Sequence, residues 1–290
     1  MYGLLFAFVG CRAEESAPAD STLPVDPPPC PTFAPAEAVG AVDTPDATEI
    51  SGLVWWDGVL WAVDDSQSVL WAFDETGASL AAVPLDPSVR VVDAEDLARV
   101  GDELVIADVG DNLAARVRIE LVGFTRPPTD GSADVWPPTT RAIGHWPDGA
   151  RDCETILADP VSGDVLLVEK AFDGVSSVMR FPTPLAAEST GELVAELAFG
   201  EPPLDGATTT TGGAMSPAGD QVIVRTYLGA FAWPRVPGEP WADTFSRDAC
   251  PIPLEVEPQG ESIAWADDGL YTISEGELPT VWFYRRDDGR

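Results

Sequence analysis

An all-β domain built from a radially repeated hairpin is what this 290-residue sequence predicts, on three observations. The first is a recurring unit: a strand opening on an acid or small residue, a tight turn, and an apolar second strand. It runs from Ser51 to Asp64, from Glu95 to Asp108, from Glu154 to Glu169, from Gly213 to Thr226 and from Glu261 to Ser274. The second is its spacing: the apolar strand begins nine residues after the opening residue in four copies and eleven in the third. The extra residues of that copy sit in its turn, Asp159-Pro-Val-Ser-Gly163. The third is that no stretch carries sustained helical periodicity with caps. Hairpins repeated at about 40–60 residues mark a radial architecture, and these residues predict one β-propeller of five four-stranded blades. Six blades are the alternative, because the two 59-residue spacings, 95 to 154 and 154 to 213, leave room for a degenerate unit.

The elements follow in order. Met1 to Gly10 is apolar but too short to span a bilayer. Phe8-Val9-Gly10-Cys11 resembles the lipobox of bacterial lipoproteins, which implies cleavage before Cys11 and lipidation of its thiol. Residues 1–11 are thus expected to be a signal peptide with its lipobox. No Lys or Arg precedes the apolar run, so the true start is expected upstream. Residues 12–38 carry seven prolines, several acids and few large apolar groups, and are expected to form a disordered, acidic tether. Extended, it reaches up to about 80 Å from an anchor.

Residues 39–290 are expected to be the propeller. Val39-Gly-Ala-Val42 precedes the first repeat, while the last repeat stops after three strands, so the early strand is expected to close the ring. Third strands are expected at 69–73, 117–121, 175–181 and 230–233. Fourth strands are expected at 79–85, 139–146, 193–199 and 252–256. Most of the ten Trp lie on strands and read as packing between blades rather than as a carbohydrate platform.

Charge narrows the function. The net charge of −33 repels phosphate backbones, which argues against nucleic acid as a partner, and attracts cations. Lys170 and His145 are the chain's single Lys and His. One imidazole excludes zinc sites built on several, and no base neighbours Ser51 or Ser262 in sequence to activate a nucleophile. Cys30 and Cys250 are candidates to pair in an oxidising envelope, although the three cysteines beyond Cys11 leave the pairing open. Cys153 reads as buried and free.

In a propeller the first strand of each blade lines the channel, and the turn after the second strand lies on the same face as the first strand's start. One rim therefore gathers Glu95, Glu154 and Glu261, with Glu49 two residues before Ser51 and so on the same side of its strand. The turns add Asp64, Asp108 with Asp111, Lys170, Arg225, Tyr227 and Glu275. Converging glutamates cannot all ionise without a counter-charge. A hard cation, chiefly Ca²⁺, suits a ring of oxygen ligands, with Glu49, Glu95, Glu154, Glu261, Asp108 and Asp111 as candidates. Asp64, Lys170, Arg225, Tyr227 and Glu275 are the candidates for holding a ligand. The competing reading makes the acids solvated or capping turn residues, with Lys170 and Arg225 as internal counter-ions.

Glu95-Asp-Leu-Ala, Glu154-Thr-Ile-Leu and Gln259-Gly-Glu-Ser-Ile-Ala resemble the blade openings of the phytase-like, esterase-like and SdiA-regulated propellers of bacteria. The resemblance covers roughly residues 45–286 and implies that several such glutamates bind calcium. Those phytases grip phosphates with several Lys and Arg, a pattern matched here only by Lys170 and Arg225. Two functions are therefore expected to compete. One is a lipid-anchored envelope propeller binding calcium and a small molecule or protein at its acidic funnel. The other is a calcium-dependent ester or phosphoester hydrolase, with Glu261 or Asp108 as base.

Overall fold

Each repeated hairpin grows outward into an antiparallel sheet. The computed structural model describes residues 26–200 and 206–287; Cys11, the apolar run before it and the first part of the tether lie outside them. Blade one is β2 (Ile50–Trp56), β3 (Val59–Asp64), β4 (Val69–Phe73) and β5 (Ser79–Pro84), and β1 (Glu37–Ala41) precedes it. Blade two is β6 (Ala94–Val100), β7 (Glu103–Asp108), β8 (Ile119–Thr125) and β9 (Thr140–His145). Blade three is β10 (Cys153–Ala158), β11 (Val165–Glu169), β12 (Val175–Phe181) and β14 (Glu192–Ala198). On the way to β14, β13 (Glu188–Thr190) pairs parallel with β9 and adds a fifth strand to blade two. Blade four is β15 (Thr210–Met215), β16 (Gln221–Thr226), β17 (Gly229–Pro234) and the short β18 (Cys250–Ile252), with a one-turn helix, α1 (Trp241–Phe245), before β18. Blade five is β19 (Gly260–Trp265), β20 (Gly269–Ser274) and β21 (Thr280–Arg285), completed by β1, which pairs antiparallel with β21.

Five blades, not six, therefore account for the described chain. The long spacings are filled by the loop between β8 and β9 and by β13 with its flanking loops. Inner strands touch in the cyclic order β2, β6, β10, β15, β19 and back to β2, which closes the channel. Alternation along each strand sends one set of side chains to either neighbouring blade, so five separate cores form, one between each pair of blades. Trp61 and Leu70 of blade one meet Leu97, Leu104 and Phe124 of blade two in one of them. Trp55 stacks on Tyr271 across blades one and five.

Residues 29–36, expected in the tether, are held against the ring. Cys30 forms a disulfide with Cys250 on β18. Phe33 sets its ring edge-on to Trp265, and Gln221 donates a side-chain N–H to the Pro29 carbonyl. Composition alone hid this, because one aromatic ring and one disulfide supply what the proline-rich run lacks. Cys153 is buried and carries a free thiol.

Candidate functional site

All five inner strands begin with the same irregularity. The register shifts between Ile50 and Gly52, Ala94 and Asp96, Cys153 and Thr155, Thr210 and Gly212, and Gly260 and Ser262. A β-bulge leaves one residue unpaired and re-aims its side chain. Here the unpaired residues are Ser51, Glu95, Glu154, Thr211 and Glu261. Ser51 and Thr211 donate to the carbonyls of Ala94 and Gly260 in the next blade, so two bulges tie neighbouring blades together. The three glutamates are buried at the rim of the channel. Room for them is specific: a Cβ on Gly110 would lie 2.0 Å from Oε1 of Glu95.

The expected ring of four glutamates divides in two. Glu95 and Glu154 gather with Asp152, each offering a carboxylate oxygen within 4.8 Å of the others. Glu49 gathers instead with Asp65 and Glu275, under the same limit. Glu261 stands between the two groups. Its Oε1 accepts the Tyr227 hydroxyl at 2.9 Å, and its charge acts on carboxyls of both groups.

Burial first, then Glu154 and Asp93, pushes Glu95 up to about 11. Burial also raises Glu154, to about 8, outweighing the help it receives from Lys170, and Glu261 and Asp152 add to the rise. Glu275 rises to about 10 through burial and its hydrogen bond with Glu261. Lys170 donates Nζ to Glu154 at 2.6 Å and is held charged by it beyond the ordinary lysine range, despite burial. Asp65 and Asp93 are raised as well, burial being the main cause for both.

Several expected site residues serve the frame instead. Arg225 is only 2% exposed and pairs with Glu257 while donating to the Ser262 carbonyl; it does not face the funnel. A Cβ on Gly260 would strike its guanidinium at 1.8 Å, so the glycine makes room for the arginine. Asp108 accepts the N–H groups of Val92 and Asp93 and pairs with Arg116 at 2.9 Å. Asp111 accepts the Arg116 N–H at 2.6 Å. Both side chains therefore serve the turn around Arg116 rather than the carboxylate groups, which Asp111 reaches through its backbone N–H to Asp152. Asp64 is spent on the Glu49 N–H, Ser66 and Gln67. Tyr227 and Glu275 do reach the site.

Asp93, Asp152 and Arg151 were not foreseen, although a signal existed. Asp93 and Asp152 stand two residues before Glu95 and Glu154, the same offset that singled out Glu49 before Ser51. Arg151 and Lys170 line a cleft of about 420 Å³ with Asp152, Glu169, Asn112 and the exposed ring of Phe172. Deeper in the channel Asp96 is wholly buried, accepting the Ile156 and Leu97 N–H groups across β6 and β10.

Neither a comparison with protein-family models nor one with curated protein sequences finds a match. Solved structures do match. The PQQ-bound aldose sugar dehydrogenase of Streptomyces coelicolor is similar at 11% identity, with 90% of this chain and 100% of that chain covered and a TM-score of 0.50. The gluconolactonase XC5397 of Xanthomonas campestris is similar at 14% identity, covering 91% and 96%, with a TM-score of 0.45. A chain of the nidogen/laminin complex matches at 15% identity over 79% and 73%, with a TM-score of 0.46. At such identities the likeness is one of fold alone. Fold and rim together define an acidic five-bladed propeller.

Proposed function

We propose that this is a calcium-binding propeller of the cell envelope, held there by a lipid on Cys11 and taking a small molecule or protein partner at its acidic funnel. One observation carries the reading. Two groups of carboxylates, joined by Glu261, face the funnel with Lys170 as the one ammonium paired to them among the described residues, and Glu95, Glu154 and Glu275 among them hold their protons well above the ordinary range. Oxygen-rich, anionic and bulge-positioned, the rim suits a hard divalent cation. The Cys30–Cys250 disulfide supports an oxidising compartment.

A second reading, a calcium-dependent ester or phosphoester hydrolase, draws on the cleft beside Asp152, where Arg151 and Lys170 stand ready for a developing anion. Arg225 no longer supports it. Calcium-stimulated turnover of p-nitrophenyl acetate or p-nitrophenyl phosphate, lost in Lys170→Met, would favour this reading over a pure binding role.

The test of the first reading is thermal melting in chelator against melting in calcium. A site filled a hundredfold over its dissociation constant adds about 2.7 kcal/mol, which is roughly 5–10 °C for a domain this size. Glu95→Gln and Glu261→Gln should shrink that shift while raising the melting point of the metal-free protein, since a neutral amide needs neither a bound proton nor a cation to sit in the rim. If calcium shifts nothing and both variants melt lower in either buffer, the reading fails.

A further inference from the structure

The carboxylates of Glu95, Asp152 and Glu154 differ from an ordinary acidic patch in one respect. Asp152 is 9% exposed, and its Oδ1 accepts the Asp111 N–H at 2.7 Å, yet its Oδ2 makes no hydrogen bond to any described residue. A buried carboxylate oxygen without a donor is costly, because it has given up water and received nothing in exchange. Its backbone is not free to move away: the Asp152 carbonyl accepts the Lys170 N–H at 3.0 Å, joining the start of β10 to the end of β11.

Geometry and charge agree on what would satisfy it. Oxygens within 4.8 Å of one another fit around an ion that takes its ligands at about 2.3–2.6 Å. Asp93, beside Glu95, feels Arg116 as well, although that guanidinium is paired with Asp108. Among the described residues the three carboxylates of the group have one ion-pair partner, Lys170, whose Nζ lies 2.6 Å from Glu154 and whose side chain is 11% exposed. With all three ionised around an ion, three negative charges and one positive leave two unmatched, the charge of one divalent cation.

We infer that the ion sits between Glu95, Asp152 and Glu154, and that Lys170 is a tethered cation competing with it for Glu154. This rests on the calcium reading above and adds to it the location of the ion and the device that sets its affinity. An ammonium a few ångströms from a divalent ion repels it in a site from which water is largely excluded. Filling the site therefore requires the Lys170–Glu154 pair to loosen, and the ammonium to turn toward the Tyr227 ring, whose centroid is 6.0 Å from Nζ. The protein's own lysine holds the affinity down.

The experiment is calorimetric titration of the intact protein with calcium chloride at fixed ionic strength. Lys170→Met, which keeps the stem and removes the charge, should bind calcium at least tenfold more tightly than the wild type. Lys170→Arg should stay near the wild-type affinity. Asp152→Asn should bind at least tenfold more weakly. Arg126→Met, removing the same charge from an exposed position beside Asp57 at the β2–β3 turn, at the end of the blades opposite the rim, should change affinity less than twofold and so separates local competition from the general field. Should Lys170→Met fail to fold, Lys170→Gln retains a hydrogen-bond donor for Glu154 and carries the same expectation. Calcium binding by the wild type with equal or weaker binding by both neutral variants overturns the competition, and an unaffected Asp152→Asn overturns the location. No calcium binding by any form overturns the calcium reading itself.

Discussion

Glu154 shows how one residue can be built into a site and yet resist ionising there. The bulge that opens β10 aims it at the rim, and Lys170 meets it, but burial with Glu261 and Asp152 holds its proton to about 8. In the unfolded chain such a carboxyl titrates near its ordinary value, about 4.3. Above that pH the unfolded chain has released a proton that the folded protein still holds, so stability declines as pH rises through about 8, and for Glu275 and Glu95 through about 10 and about 11. Metal-free protein is therefore expected to melt at least about 5 °C lower at pH 9 than at pH 5.5, and calcium should flatten the profile by standing in for the protons. A metal-free melting point that climbs over that interval would show that these carboxyls ionise freely. The acids at 95, 154 and 261 were legible in the sequence because each opens a repeat. The roles of Asp108 and Asp111 were not, because the arginine that claims them, Arg116, carries no positional signal.

At the scale of elements, the ring is closed twice. β1 completes blade five by pairing with β21, and the disulfide from Cys30 to Cys250 ties the segment before it to β18 of blade four. The bridge spans 220 residues of sequence, so it constrains nearly the whole unfolded chain and is worth about 2–4 kcal/mol. A Cys30→Ser/Cys250→Ser variant should remain folded but melt roughly 5–15 °C lower. Deleting residues 1–28 should leave the melting point unchanged, whereas deleting 1–44 should bare the β21 edge and cause aggregation. Equal solubility of the two truncations would show that β1 does not hold the ring shut. The closing strand could be foreseen from a last repeat one strand short. The docked stretch before it could not, since proline content speaks of local entropy and not of what lies nearby.

For the whole molecule, charge and placement belong together. A net charge of −33 on one chain keeps the propeller soluble and raises the local concentration of cations at its rim. The proposed lipid would hold that field near a membrane. Cells expressing the full gene should incorporate labelled palmitate, and Cys11→Ala should abolish the label. Labelling that survives the substitution, or protein confined to the cytosol, would remove the anchor.

Repeat spacing and alternation alone determined the all-β class and the ring's closure and favoured five blades, because period-two burial and a recurring turn are local properties that each blade states for itself; the structure decided five over six. Which acids share a site was decided only by the tertiary structure. Glu49 and Asp152 stand in equivalent places by sequence, each two residues before a blade's opening residue, yet the closed ring sets Glu49 beside Asp65 and Glu275 and Asp152 beside Glu95 and Glu154. Arg225 lies within β16 and Lys170 just after β11, and packing sends one beneath Gly260 and the other to Glu154. Electrostatic partnership depends on distances across blades, and those distances exist only once the ring has closed.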